Sequence, residues 1–225
     1  MVTQVIRANQ LVKRYGGRDA VLNGISLQVN EAEFQMVYGK SGCGKTTLLN
    51  ILGGLDRPTS GEVVIDGQNI VGLNEDELAR MRLDKIGFVF QDANLLMDLT
   101  VRENVRLPLK FSRRKDGGRV EDLLNKFDIH HIAEETANKI SGGEAQRAAI
   151  ARAMMNEPKI ILADEPTGNL DIENTENVIE MFQLVRKDFG TTIVLATHDR
   201  DLAIHATSTV YLSEGRAVEE MPNPR

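Results

Sequence analysis

Short alternations of apolar and polar residues fill the first 38 positions. Val5-Ile6-Arg7-Ala8, Ile25-Ser26-Leu27-Gln28-Val29 and Phe34-Gln35-Met36-Val37 carry the two-residue period of strands. Thr46-Thr47-Leu48-Leu49-Asn50-Ile51-Leu52 follows as a helix pattern. Pro58-Thr59-Ser60-Gly61 predicts a turn, and Glu62-Val63-Val64-Ile65 before Asp66-Gly67 predicts half of a hairpin. Asn74 with Glu77, and Thr100 with Glu103, have the spacing of helix-capping pairs. Ile86-Gly87-Phe88-Val89-Phe90 is another strand, after which the pattern turns mostly helical from Gln91 to about Lys139, with a loop tip at Asp116-Gly117-Gly118. The strand–helix rhythm then returns through Ile160–Ala163, Val178–Phe189 and Thr192–Ala196, and ends in a hairpin over Thr209–Val218. No repeat, low-complexity tract or linker interrupts it. One α/β domain over residues 1–225 is expected, with 91–148 inserted as a helical lobe between 1–90 and 149–225.

Composition narrows the class. With 41% hydrophobic and 27% charged residues the chain is globular, and 225 residues suffice for a core. A net charge of −6 argues against a nucleic-acid partner, and Arg113-Arg114-Lys115 reads as a solvated loop. Cys43 is the one cysteine, which excludes an intrachain disulfide and a thiol zinc site. Neither a signal-peptide pattern nor an apolar run of about 18 residues is present. A cytoplasmic chain is expected, with any membrane-spanning part supplied by a partner.

Candidate chemistry lies in two distant strings. Gly39-Lys40-Ser41-Gly42-Cys43-Gly44-Lys45-Thr46, followed by Thr47, matches the phosphate-loop pattern and sits between a strand and a helix, as that loop requires. Gly42 and Gly44 let backbone N–H groups approach phosphate oxygens at a helix N-terminus. Lys45 would neutralise the β- and γ-phosphates and the Thr46 hydroxyl would ligate Mg²⁺. Cys43 is either a thiol activated by its surroundings or a small residue whose backbone does the binding. The second string, Ile160-Ile161-Leu162-Ala163-Asp164-Glu165, is an apolar strand ending in two carboxylates, suited to hold magnesium and aim a water. Together they imply hydrolysis of a nucleoside triphosphate.

A third string narrows the family. Ile140-Ser141-Gly142-Gly143-Glu144-Ala145-Gln146-Arg147, whose serine lies 23 residues before Asp164, resembles the signature of ATP-binding-cassette (ABC) ATPases. Gln91 then resembles that family's Q-loop residue, Gly168-Asn169-Leu170-Asp171 its D-loop, His198 its switch histidine and Tyr15 its adenine-stacking aromatic. The resemblance implies a P-loop NTPase core like that of recombination ATPases, with an antiparallel β lobe and an inserted α-helical lobe. It implies ATP and Mg²⁺ as cofactors, with Asp164, Gln91 and Thr46 at the metal, Glu165 as general base and His198 at the γ-phosphate. It also implies a head-to-tail homodimer in which Ser141, Gly142 and Gly143, with Asp171 nearby, close over the nucleotide of the other copy. Apart from the family, Ser141 and Glu144 read as a capping box on a glycine-fronted helix, a second anion-seeking surface.

Leu52-Gly53-Gly54-Leu55-Asp56 and Ala163–Asp171 resemble one branch of this family, the ATPases of macrolide-type efflux pumps, lipoprotein-release complexes and antimicrobial-peptide exporters. That branch implies an integral membrane permease as partner and a place on the inner face of the membrane. Leu95-Leu96-Met97, in the stretch from Gln91 to Leu109, either docks that partner or belongs to the core. A cell-division ATPase of the same branch, without cargo, is the alternative. Ile140, Glu144, Ala32 and Tyr38 depart from the commoner residues of the pattern without removing a chemical group.

Overall fold

The computed structural model describes residues 3–17, 19–112 and 114–218. Its centre is a six-stranded sheet made of β3 (Phe34–Tyr38), β6 (Ile86–Phe90), β7 (Ile160–Asp164), β8 (Thr192–Thr197), β9 (Ser208–Ser213) and β10 (Arg216–Val218), in the order β10-β9-β3-β8-β7-β6. From β9 to β6 neighbouring strands run parallel, and β10 alone turns back on β9. A second sheet, antiparallel throughout, orders β2 (Leu22–Asn30), β1 (Gln4–Lys13), β4 (Ser60–Ile65) and β5 (Gln68–Asn69). Asn23 N–H donates to Gly215 O at 2.7 Å where the two sheets meet.

The near-continuous apolar runs of the central strands have a direct cause, since a parallel sheet is covered on both faces. Ile161, Ala163, Ile193 and Leu195 belong to one core, and Ile160, Leu162, Val194 and Ala196 to the other. The first core packs α5 (Gly142–Met154), α6 (Ile172–Phe189) and the 91–141 segment; the second packs α1 (Lys45–Leu52) and the antiparallel sheet.

Local chemistry sets the boundaries. In α2 (Glu75–Lys85), α3 (Val101–Arg106) and α5, both bonds of a capping box form, through Asn74 with Glu77, Thr100 with Glu103 and Ser141 with Glu144. Asp66-Gly67 and Glu214-Gly215 turn their hairpins with positive φ at both positions (48° and 76°; 48° and 71°). Ala32, noted for replacing a glycine, does adopt the left-handed conformation at φ 55°.

Several sequence expectations change. The stretch from Gln91 to Lys139 is less helical than expected: it holds α3, α4 (Arg119–Lys126) and three short 3-10 turns joined by loops. Its residues are fixed instead by side chains that satisfy loop backbone, as Asn104 does by donating to Leu96 O and Thr100 O. Helix α6 starts six residues before Val178 because Asp171 caps it. Helix α5 continues across position 148 to Met154 and packs against β6. Of the basic run, Arg113 lies outside the described residues, and Arg114 is exposed. No described helix is long and apolar enough to cross a membrane.

Candidate functional site

The parallel register delivers the predicted residues to one edge. Phe90 pairs with Asp164, Asp164 with Ala196, and Tyr38 with Thr197. Gln91, Glu165, His198 and Gly39 therefore follow at or near the carboxyl ends of neighbouring strands, where open parallel sheets form ligand sites. A cavity of about 860 Å³ opens there, lined by Gly39, Lys40, Ser41, Gly42, Gly44, Lys45, Thr46 and Thr47 with Gln91, Glu165 and His198.

The phosphate loop is held by what surrounds it. A Cβ on Gly39 would lie 2.2 Å from Leu212 O, so strand β9 leaves no room for a side chain. Gly42 and Gly44 take φ of 77° and 108°. Gly44 caps α1 without a side-chain bond, and no acid occupies the first turn. Uncapped N–H groups thus face the cavity, whereas an aspartate caps α6. Cys43 does not line the cavity; its half-buried side chain packs against the apolar core, which favours the backbone reading.

Lys45 is 6% exposed. Its Nζ donates to Gly39 O at 2.8 Å and lies 3.2 Å from Glu165 Oε1. Glu165 Oε2 accepts from His198 N–H at 3.2 Å and lies 2.8 Å from His198 Nδ1. An ionised carboxylate only accepts, so Nδ1 carries the proton of this contact and Nε2 is left for another partner. Glu165 holds φ at 47°, an unfavourable region for its type, and is pinned by Glu165 N–H to Ala196 O (2.9 Å) and Gly168 N–H to Glu165 O (3.0 Å).

Asp164 lies behind this cluster. Burial pushes its carboxyl above the ordinary range, Glu165's charge adds to that, and Thr46 and Lys45 partly offset it. Its Oδ1 is buried with no hydrogen-bond partner. A buried anionic oxygen without a donor fits a cation. Among the described residues no three His, Cys, Asp or Glu side chains gather to hold a metal. Magnesium here would use Asp164, the Thr46 hydroxyl, Gln91 and phosphate oxygens, the sparse protein contribution usual for this ion. The residues present fit it.

Other expected residues lie outside the cavity lining. Tyr15 is half exposed, its hydroxyl donates to Asp56 Oδ2 at 2.6 Å, and Lys13 Nζ sits 4.6 Å from its ring centroid. Burial, then Asp56, raises the Tyr15 hydroxyl's pKa. Ser141, Gly142 and Gly143 begin α5 and do not line the cavity of their own chain. Two bonds from Ser141 hold the Glu144 carboxyl below its ordinary range. Asp171 caps α6 and accepts from Asn174 N–H and Nδ2. Asn174 in turn crowds Gly143, where a Cβ would lie 2.2 Å from its Oδ1.

Sequence reasoning missed several cavity residues, namely Val21, Arg200 and Tyr211, and noted Tyr38 only for its bulk. Tyr38 and Tyr211 rings meet at 4.8 Å because their strands are neighbours in register, which no local pattern announces. It also passed over Asp92 and named Asn169 only within the D-loop resemblance; the two bond to each other and, through Asn169, to Gln91.

Comparison with known proteins agrees with this geometry. Residues 22–168 match the family model described as ABC transporter. The chain is 40% identical over 210 residues to a Mycoplasma pneumoniae protein named an ABC transporter ATP-binding protein, covering 92% of this chain and 45% of that protein. It is 44% identical over 217 residues to the macrolide export ATP-binding/permease protein MacB of Syntrophobacter fumaroxidans, covering 90% of this chain and 30% of MacB. The chain therefore spans less than half the length of these relatives. Among solved structures it matches the ATP-binding cassette MJ0796, described as dimeric, post-hydrolysis and bound to ADP and Pi, with a TM-score of 0.87 and 39% identity over 98% of this chain and 100% of that one. With the family model spanning more than half of its length, the chain belongs to the ABC transporter family as one of its ATPase domains.

Proposed function

We propose that two copies of this chain hydrolyse ATP head to tail and drive a separate membrane subunit. The observation that carries this reading is the separation of parts: Lys45, Glu165 and His198 share one cavity, while the anion-seeking start of α5 takes no part in lining it. A second copy can bring that helix start over the nucleotide.

Residue roles follow from charge. Lys45 exchanges Glu165 for phosphate oxygens, because a polyphosphate offers it more negative charge. Glu165, so released, takes a proton from the attacking water. His198 and the N–H groups at the start of α1 hold the charge that develops on the γ-phosphate. Bound magnesium would neutralise phosphate oxygens, held by Asp164, Thr46 and Gln91.

The membrane subunit would dock in a groove of about 620 Å³ whose lining includes Leu55, Phe88, Leu107, Pro108 and Phe111. Leu55 and Phe111 are 50% and 70% exposed, an apolar surface with nothing packed on it in the single chain. The stretch Leu95-Leu96-Met97 divides: Leu95 is buried in the core, and Leu96 and Met97 are exposed. MacB, by its name, unites ATP-binding and permease parts. A chain matching 30% of MacB is expected to work with a permease portion supplied by a separate subunit.

Dilution tests the pairing. ATPase rate per chain should rise with concentration as pairs form. A chain shown to be monomeric by light scattering, yet as fast per molecule as concentrated protein, would overturn the reading.

A further inference from the structure

The hydrogen bonds around Gln91 fix which end of its amide is free. Gln91 Nε2 donates to Asn169 Oδ1 at 3.0 Å, and Asn169 Nδ2 donates to Asp92 Oδ1 at 2.9 Å. The two ends of an amide have nearly the same shape, so orientation is decided only by a neighbour that cannot play both parts. Asp92 is that neighbour. Its exposed carboxylate accepts and does not donate. The end of Asn169 that meets it must be the NH₂, which turns the Asn169 oxygen toward Gln91. Only the NH₂ end of Gln91 can meet that oxygen.

Gln91 Oε1 is left over. No described residue donates to it. It is the one side-chain atom of Gln91 able to ligate a cation or accept from a water, and Gln91 lines the cavity. The backbone closes over this arrangement: a Cβ at Gly168 would lie 3.0 Å from Gln91 Nε2 and 3.2 Å from Gln91 Cδ. Glycine at 168 leaves room for the amide to reach Asn169.

We infer that Asp92 and Asn169 form a polarity relay that keeps the carbonyl end of Gln91, and not its NH₂ end, available to metal and water. Both are positioning residues for the reaction. The relay joins the segment after β6 to the segment between Glu165 and α6, which otherwise share little chemistry. Its functional consequence rests on Gln91 being a ligand, as proposed above. The orientation itself does not.

Three variants of the full chain test it. Asp92→Asn keeps the shape of Asp92 but can donate to Asn169, which permits the reversed orientation. Asn169→Ala removes the middle of the relay. Gln91→Ala removes the ligand. Mn²⁺ binding in the presence of a non-hydrolysable ATP analogue is read by electron paramagnetic resonance, and the Gln91 side-chain amide by NMR. Asp92→Asn and Asn169→Ala are each expected to weaken Mn²⁺ binding on the order of tenfold, the usual cost of losing a residue that orients a ligand. Both should shift the Gln91 amide protons, while metal-free nucleotide affinity stays unchanged.

The outcomes separate. Should Gln91→Ala weaken Mn²⁺ binding while Asp92→Asn does not, the relay is overturned and the ligand stands. Should Gln91→Ala have no effect on Mn²⁺, the ligand reading fails, and the NMR arm still judges the relay. Unmoved Gln91 amide resonances in Asn169→Ala overturn it whatever the metal does.

Discussion

Lys45 Nζ and Glu165 Oε1 lie 3.2 Å apart, close enough for the cation and the carboxylate to offset each other's charge. Lys45 is almost fully buried and Glu165 largely so, and in the proposed function both exchange this partner, for nucleotide and for water. In that proposal the contact holds both groups in reserve until phosphate arrives.

Glu165→Gln removes the competitor without changing its shape. ATP affinity should tighten by up to about fivefold, ~1 kcal/mol for a partly solvated pair. Turnover should fall by about 10²–10⁴, the usual contribution of a general base. Isothermal titration and phosphate release check the two halves separately. Unchanged turnover would remove Glu165 from its role.

Gly143→Ala separates folding from pairing. The added methyl would meet the Asn174 amide, which is free to swing away at the loss of its bonds to Asp171. Stability should fall by only about 1 kcal/mol, the net value of such bonds. Dimerisation with ATP should be lost, because the helix start no longer offers a bare backbone. Asn174→Ala in the same chain removes bonds already lost, so it should lower the melting temperature no further and leave assembly unrestored, as calorimetry and light scattering would show.

These residues also show what sequence can and cannot reveal. Asn74, Thr100 and Ser141 announced their helices because capping is settled within three residues. The phosphate loop, Glu165 and His198 were legible for a related reason: each stands at the end of an apolar strand, and parallel strands end together. Asp92, Tyr211 and the bonds that tie Asn169 to Gln91 were not legible. Their importance depends on which strands lie side by side, and the order β9-β3-β8-β7-β6 is not written in any local period. The loops between Gln91 and Lys139 do not show in the sequence, because Asn104 and its like satisfy backbone from a distance.

Phe111→Ser should distinguish docking from catalysis. The ring is 70% exposed, so its loss should change stability by no more than about 0.5 kcal/mol. ATPase rate of the isolated chain should stay the same. Co-sedimentation with source-cell membranes stripped of peripheral proteins should fall severalfold, while neither protein binds protein-free lipid vesicles. Equal sedimentation of variant and wild type would move the docking site elsewhere.

Asp164 should make the nucleotide-free chain less stable as pH rises. Burial lifts its folded pKa above the unfolded value of about 3.9, so within that window the native state holds a proton the unfolded chain has released. The contribution of Asp164 to stability therefore declines as pH climbs through the window and remains reduced at neutrality. Other carboxylates act in the opposite sense. Burial works against ionised Asp56 and Asp66, yet their lysine partners hold both below the usual range, and Ser141 does the same for Glu144. Their stabilisation disappears as pH falls. The whole-protein profile mixes these effects, so the informative quantity is the difference between wild type and Asp164→Asn, which cannot ionise. Without magnesium and nucleotide the variant should be more stable at pH 7 by about 1 kcal/mol, in line with removing a conflict kept for function. That advantage should shrink to nothing below the unfolded value. Adding magnesium with an ATP analogue should reverse the order, since only the wild type gains a cation for its unpartnered oxygen. Thermal melts across pH, with and without magnesium and the analogue, measure each part, and a constant gap at all pH values would show that Asp164 is not the group responsible.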